Sequence, residues 1–480
     1  MKNGGLLDAL LALQARDGYL TEAALTALAE QQGRTLSEIY DTASFYSMLR
    51  FSPDAETWDV PVTEGTAGNG EGETRIALRN VGKISPESIE DYISAGGYTA
   101  LEKVRSTDRE ELIRTIEEQS LLRGRGGAAF STGKKWSSAF KSGEETKYIV
   151  VNADEGEPGT YKDRIIMEGD PHTVIEGLLI AAYAVGAKEC YIYIRGEYPE
   201  SLRLLRLAAA QAEEKGICAD VKIHVVSGAG AYICGEGTAI VNSLEGVRGE
   251  PRLKPPSMAV AGLNKKPTVV NNVETFAVIP EIINRGSEWF SSIGAQKYPG
   301  TKLMCMSGDV NNSVCVEVPT DTTLREVLER FGGGVKDGKQ LKAIQLGGFS
   351  CGFVTPEQLD TPIDFDSLRT LGAALGSGSM LVLDETHNIV DHLLEVAQFF
   401  RHESCGKCSP CREGTMRVEE LLEKLASGKG TQRDIDLIVS LSDYMQQTCF
   451  CPLGQSATTA FMSALKLFPE DFAAKLNKEA

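Results

Sequence analysis

At 480 residues the chain exceeds what one hydrophobic core usually serves, so three or four domains are expected, and 42 % apolar with 24 % charged residues is the balance of a soluble globular protein. A formal net charge of −18 excludes nucleic acid as the main partner, because a phosphate backbone would be repelled, while local basic clusters still suit a small phosphate ligand. Eleven cysteines, with no export leader in Met1-Lys2-Asn3-Gly4-Gly5, read as thiols or metal ligands and not as a disulfide framework, and the expected location is the cytoplasm.

Residues 5–50 are predicted as short helices. Leu6, Leu7, Leu10 and Leu13 recur at helical spacing, and Thr21-Glu22-Ala23-Ala24-Leu25 has the form of a capped start. Residues 52–74 lose that period and collect Gly, Thr, Glu and Pro, which predicts a linker. Beyond residue 81, strands are predicted at 148–151, 190–194 and 221–226, with helices between them. The apolar stretch 174–187 is broken by Glu176 and is too short to span a bilayer. This alternation predicts an α/β domain with a largely parallel sheet. Residues 301–365 read as a small α+β module with a helix over 323–331, and from Asn388 onward the period is helical again.

In that helical region Cys405-Gly406-Lys407-Cys408-Ser409-Pro410-Cys411 places three thiols at intervals of three. Such a loop brings three sulfurs to three corners of one cubane cluster, and a distant cysteine completes the set. Cys449-Phe450-Cys451-Pro452 supplies two candidates, between which spacing does not choose. Zinc more often takes two separated pairs of cysteines, so iron–sulfur is preferred over zinc and over chance clustering. Cys190, Cys218, Cys234, Cys305, Cys315 and Cys351 are scattered and read as small buried hydrophobes.

Three loops point to a nucleotide-type ligand. Arg123-Gly124-Arg125-Gly126-Gly127-Ala128-Ala129-Phe130 is basic and glycine-rich, so its N–H groups can turn inward on an anion, with Arg125 or Lys135 adding charge. Asn152-Ala153-Asp154-Glu155-Gly156-Glu157-Pro158-Gly159 follows a predicted strand, where carboxylates can hold ribityl or ribose hydroxyls. A third loop over 228–237 sets small residues beside Tyr232 and Glu236. Each has a plain-turn reading when taken singly; three in one α/β domain favour the ligand.

The run 122–136, the NADEGEPGTYKDR loop over 152–164, the segment 228–246, the PTVVNNVET stretch over 267–275 and the ESCGKCSPCREGT cluster resemble the NADH-binding flavoprotein subunit of respiratory complex I. They are more similar still to the related subunit of soluble NAD-linked hydrogenases and formate dehydrogenases, as is the segment IALRNVGKISPE from Ile76. The resemblance spans about 76–475. It implies a linker at 52–75, an FMN- and nucleotide-binding Rossmann-like α/β domain at 76–300, a β-grasp module at 301–365, a connector at 366–387 and a helical bundle at 388–480 carrying one [4Fe-4S] cluster. FMN contacts would fall on Gly124, Arg125, Gly126, Lys135, Asn152, Asp154, Asn271, Asn272 and Thr275, with Gly235 and Glu236 near the flavin ring. Phe130, Glu157, Tyr232 and Lys266 would form the nucleotide side for NAD(H) or NADP(H). The cluster ligands would be Cys405, Cys408, Cys411 and Cys451, the last preceding Pro452-Leu453-Gly454. Residues 1–51 resemble the helical front of the thioredoxin-like [2Fe-2S] partner subunit, without its cysteines, and are read as a docking segment.

The implied function is an electron-transfer subunit of a multi-subunit oxidoreductase, exchanging hydride between NAD(P)(H) and FMN and single electrons between FMN and the cluster. Electron bifurcation is a further property of such complexes. The partners would be a thioredoxin-like [2Fe-2S] subunit, a catalytic subunit of hydrogenase, formate dehydrogenase or aldehyde-oxidising type, and ferredoxin. Four departures fall on the nucleotide side: Ala129-Phe130-Ser131 for Gly-Phe-Pro, Ser138 for an aromatic residue, Gly237 for a second acid, and Asn264-Lys265 for an aromatic and a glycine. An aromatic pair contributes about 0.5–1.5 kcal/mol, so these losses motivate an alternative reading as a flavin and iron–sulfur relay without nucleotide binding.

Overall fold

The computed structural model describes residues 5–55 and 62–477. The leader reading at residues 1–4 and part of the expected linker, 56–61, lie outside the described residues, as do 478–480. The chain opens with α1 (Leu6–Asp17), α2 (Glu22–Gln32) and α3 (Leu36–Ala43). Thr21 caps α2 by accepting the Ala24 N–H, Thr35 and Glu38 form a reciprocal capping box on α3, and Gly33 ends α2 at φ +65°, a conformation glycine reaches freely. A two-residue strand follows, β1 (Thr66–Ala67).

The central sheet contains β2 (Tyr148–Ala153), β3 (Glu189–Ile194), β4 (Lys222–Ser227) and β5 (Thr268–Asn272), all parallel in the order β4-β3-β2-β5. Their alternating side chains divide two cores. Ile149, Val151, Cys190, Ile192, Ile194 and Val269 face a layer built on the helix Pro171–Val185, which is buried on nearly every side. Tyr148, Val150, Tyr191, Tyr193 and Val270 face the other way, onto Leu6, Leu7, Leu10, Leu25, Leu28 and Ile39 of α1–α3 and onto the helix Gly237–Leu244. A parallel sheet needs both faces covered, and here the N-terminal helices supply one of the covers.

A short hairpin, β6 (Gly294–Ala295) and β7 (Tyr298–Pro299), leads into a second sheet of β8 (Thr301–Gly308), β9 (Val314–Pro319), β10 (Leu341–Leu346), β11 (Phe353–Val354) and β12 (Ser379–Asp384). Its order is β1-β9-β8-β12-β10-β11. Two expected boundaries change. The expected connector contributes β12, which lies in the interior between β8 and β10 and runs parallel to β8. The expected linker contributes β1, parallel on β9. Neither segment is a spacer, because each completes the ladder of the β-grasp module. Helices Ile389–Glu403, Ser409–Ala426 and Gln432–Thr448 then form the cluster-bearing bundle. Among the described residues no helix is long and apolar enough to cross a membrane. All six scattered cysteines are buried, as expected for small apolar side chains.

Candidate flavin and iron–sulfur sites

Ligands of parallel α/β sheets bind outside the carboxyl ends of the strands, and the three loops meet there. The Gly124 N–H donates to the Phe130 carbonyl at 2.9 Å, closing the glycine loop, and the Arg125 N–H donates to Thr275 Oγ1 at 2.8 Å, tying it to the first turn of the helix Val273–Arg285 that follows β5. A Cβ on Gly126 would lie 2.9 Å from Asn272 Cβ, so a side chain there would press into the ligand-facing end of β5. Asn152 donates from Nδ2 to the Gly235 carbonyl at 2.8 Å and accepts the Asp154 N–H at 3.2 Å, joining the second and third loops. Asp154 Oδ2 and Asn271 Nδ2 are enclosed without a hydrogen-bond partner. Buried polar atoms of this kind are normally satisfied, and their position suits the hydroxyls of a bound flavin side chain.

Electrostatics prepare the same place for an anion. Lys135 Nζ donates to the Val270 carbonyl at 2.9 Å and stands 5.9 Å from the Phe130 ring centre. Burial, with Lys254 nearby, pushes its ammonium down to about 8. Burial, and then Glu197, holds the Asp154 carboxyl well above the usual range. Asn272 is oriented by residues that the sequence motifs did not single out: its Nδ2 donates to Asp163 Oδ2 at 2.6 Å and its Oδ1 accepts from Lys162 Nζ at 3.1 Å. Lys162 also pairs with Asp163 at 2.6 Å and with Glu274 at 3.1 Å, and Lys302 meets Glu274 at 2.5 Å. All four charges are buried. Lys162 and Asp163 stand in the NADEGEPGTYKDR loop and Glu274 in the PTVVNNVET stretch; Lys302 lies in neither, 28 residues beyond Glu274.

Not every expected contact is brought to the cradle. Arg125 turns its fully buried guanidinium away, donating to the Pro299 carbonyl at 2.6 Å and standing 4.5 Å from the Tyr298 ring centre. Its backbone, not its charge, belongs to the glycine loop. Lys266 precedes β5 at the amino end and pairs with Glu144 at 2.8 Å. It stands six positions before Asn272, about 20 Å along extended chain, and so lies away from the carboxyl-end loops. Glu236 caps the helix Gly237–Leu244, accepting the N–H groups of Thr238 at 2.7 Å and Ala239 at 3.1 Å, and pairs with Lys254 at 2.9 Å.

Phe130 is exposed at the rim, as a stacking residue would be. Glu157 accepts from Tyr232 Oη at 2.5 Å and from the Ser350 N–H at 3.0 Å; burial raises its carboxyl. The departures noted in the sequence have local partners. Ala129 keeps the left-handed backbone, at φ +48°, that a glycine would take freely. Ser131 caps the helix Thr132–Phe140 by accepting the Lys134 N–H. A Cβ on Gly237 would lie 2.6 Å from Met258 Cε, so Met258 takes the room of an acid at that position.

The five cysteines of the C-terminal region converge. Cys411 hydrogen-bonds with Cys449, Ser404 and Cys408, which together hold its thiol down at about 7. The same pairing, with burial, pushes the Cys449 thiol up. Cys451 lies in the electrostatic reach of Cys405 and Cys411; burial pushes its thiol up to about 12, against a smaller downward pull from the Leu453 and Gly454 N–H groups. This donor set of soft sulfurs fits a four-cysteine iron–sulfur cluster.

A parallel α/β flavin cradle, a β-grasp module and a sulfur-rich helical bundle define an electron-transfer flavoprotein. Known proteins agree with this segment by segment. Residues 118–281 match the Nuo51 FMN-binding domain, 391–475 the NADH-ubiquinone oxidoreductase-F iron-sulfur binding region, 303–354 the SLBB domain and 1–101 the thioredoxin-like [2Fe-2S] ferredoxin. An F-type NADH-quinone oxidoreductase chain of Rhizobium meliloti is 44 % identical over 84 % of this chain and 98 % of its own length. The HndC chain of the NADP-reducing hydrogenase of Solidesulfovibrio fructosivorans is 44 % identical over 84 % of each chain. A chain in the crystal structure of an NAD+-reducing [NiFe]-hydrogenase in the H2-reduced state superposes with a TM-score of 0.85 at 27 % identity, over 99 % of this chain and 93 % of its own.

The chain belongs to the family of NADH-binding flavoprotein subunits of complex I and soluble hydrogenases. It is an FMN- and [4Fe-4S]-dependent electron-transfer component of a multi-subunit NAD(P)-linked oxidoreductase. Within that family, residues 1–101 match a ferredoxin model although no cysteine precedes Cys190.

Proposed function

We propose that the chain exchanges hydride with NAD(H) over an FMN held by Gly124, Gly126, Lys135, Asn152, Asp154, Asn271 and Asn272, and exchanges single electrons through a cluster on Cys405, Cys408, Cys411 and Cys451. The observation that carries this assignment is the pair of orphaned polar atoms, Asp154 Oδ2 and Asn271 Nδ2, at the carboxyl end of the sheet beside the glycine loop. When bound, FMN and the cluster supply the conversion between a hydride and single electrons. Lys135 places positive charge for the flavin phosphate. Burial favours the neutral Asp154 carboxyl, which can donate as well as accept a hydrogen bond. Phe130 offers an aromatic face at the rim, and Glu157, held by Tyr232 and Ser350, offers an acceptor to the nucleotide.

NAD(H) is preferred over NADP(H) because the cations that would hold a 2′-phosphate are engaged elsewhere: Lys266 at the opposite end of the sheet and Lys254 on Glu236. Anaerobic FMN-loaded protein should be bleached faster by NADH than by NADPH. The reverse order would overturn the nucleotide assignment, and bleaching by neither would favour a relay without nucleotide binding. The proposed assembly is a cytoplasmic complex with a [2Fe-2S] protein and a hydrogenase-type catalytic partner; formate dehydrogenase or aldehyde-oxidising partners would be distinguished by co-purification.

Lys135 also sets a pH dependence. Its free ammonium loses a proton near pH 8, and a bound phosphate dianion favours the protonated form. FMN affinity should therefore be highest near pH 7, where the phosphate is a dianion and Lys135 is protonated, and fall as pH rises through about 8, toward tenfold per pH unit. Lys135→Met should weaken binding at neutral pH and remove the step, as measured by quenching of free FMN fluorescence.

A further inference from the structure

The loop 228–237 touches both redox sites. On the flavin side its Gly235 carbonyl accepts from Asn152 Nδ2 at 2.8 Å. Three residues earlier, the Tyr232 N–H donates to Glu403 Oε2 at 2.8 Å. Glu403 is the last residue of the helix Ile389–Glu403 and is buried. The next residue, Ser404, meets Cys411 Sγ at 3.2 Å through its hydroxyl, and Cys405 follows. The Tyr232 ring packs edge-on against Phe399 of the same helix, with centres 5.0 Å apart. Within the cysteine loop, Lys407 donates to the Pro251 carbonyl at 2.8 Å. Two domains are thus joined beside the cysteines, and the Glu403 carboxylate ties the flavin-facing loop directly to the cluster-bearing helix.

We infer that Glu403 is a positioning residue for electron exchange between the two cofactors, acting by clamping the Tyr232 loop to the cluster loop. This role presupposes the flavin and cluster assignment above. Electron transfer weakens steeply as the route between centres lengthens or loosens, so a tether at the junction controls the rate without entering the chemistry. In the step itself one electron is lost by the reduced flavin and gained by the oxidised cluster; Glu403 neither takes nor gives a proton. A backbone hydrogen bond to a buried carboxyl of this kind shifts a loop's positional equilibrium by up to about tenfold.

The test uses anaerobic holoprotein, flash photoreduction of the bound flavin with a sacrificial amine donor, and absorbance and EPR detection of cluster reduction. Glu403→Gln keeps an acceptor oxygen in place and removes the charge. Glu403→Asp keeps the charge and withdraws the oxygen by one methylene. A tether predicts that Gln stays within about twofold of the native rate while Asp and Ala slow by more than that, up to about tenfold. A slow Gln variant beside a native-like Asp variant would mean that Glu403 acts through its field, and equal rates in all variants would mean that it does not act; either overturns the proposal. Amide hydrogen exchange at Tyr232, measured on the same holoproteins, should be slow in the native and Gln chains and fast in Asp and Ala. Because the flash bypasses the nucleotide, loss of NADH bleaching with intact flash transfer would sink the nucleotide assignment and leave the tether standing.

Discussion

Cys451→Ser is expected to reduce bound iron from about four atoms per chain to near zero, while Cys449→Ser keeps about four. The two residues are separated by Phe450 alone and both are buried, so neither spacing nor access distinguishes them. Their surroundings do. The Leu453 and Gly454 N–H groups offset part of the burial that raises the Cys451 thiol. Cys449 is instead engaged with Cys411, and its sulfur lies against Gly454, where an added Cβ would stand 2.7 Å away. It packs against Gly454 while paired with Cys411. Iron analysis and the broad visible absorbance of each purified variant read the outcome. Loss of iron in Cys449→Ser with retention in Cys451→Ser would reverse the assignment. Loss in both would mean that Cys449 shapes the loop as well.

Legibility in the sequence followed the range of the interactions. Strands β2, β3 and β4 were visible because short apolar runs stand together between turn signals, and the cysteine and glycine loops because their geometry is local. β12 was missed although Met380-Leu381-Val382-Leu383 is an apolar run; its place between β8 and β10 comes from pairing with residues distant in the chain. β1 has two residues and no period at all, and its position is fixed by the ladder to Val314 and Cys315. Lys266 shows a different limit. The resemblance gave it a nucleotide contact, whereas only the packed sheet shows that Lys266 stands before the strand while Asn271 and Asn272 stand at its end. Asn272 was legible as a contact, whereas the pairing of Lys162, Asp163 and Glu274 beside it became visible only once the helices were packed.

Deleting residues 1–51 is expected to leave the remaining chain insoluble or to lower its melting temperature sharply, with loss of FMN. A docking segment would come off without that cost, because its contacts would be with another protein. Here Leu6, Leu7, Leu10, Leu25, Leu28 and Ile39 are at most 5 % exposed, against the sheet face formed by Tyr148, Val150, Tyr191, Tyr193 and Val270. Burying each large apolar side chain contributes about 1.5–3 kcal/mol, so a handful of them matches the about 5–15 kcal/mol by which a domain is stable. The attachment is also specific. Ser47 and Met48 donate their N–H groups to the Gly230 and Ala229 carbonyls at 3.0 and 3.1 Å, and Tyr46 Oη meets Ser243 Oγ at 2.8 Å. The first two bonds fall on the loop 228–237, which carries Gly235 on the flavin side and Tyr232 on the cluster side. A milder variant, Leu10→Asp, should place a charge in the same core and produce the same loss of flavin while leaving the chain full length. Thermal unfolding followed by flavin release reads both variants; native-like melting of the deleted chain with FMN retained would show that α1–α3 are an appendage and that the sheet tolerates an open face.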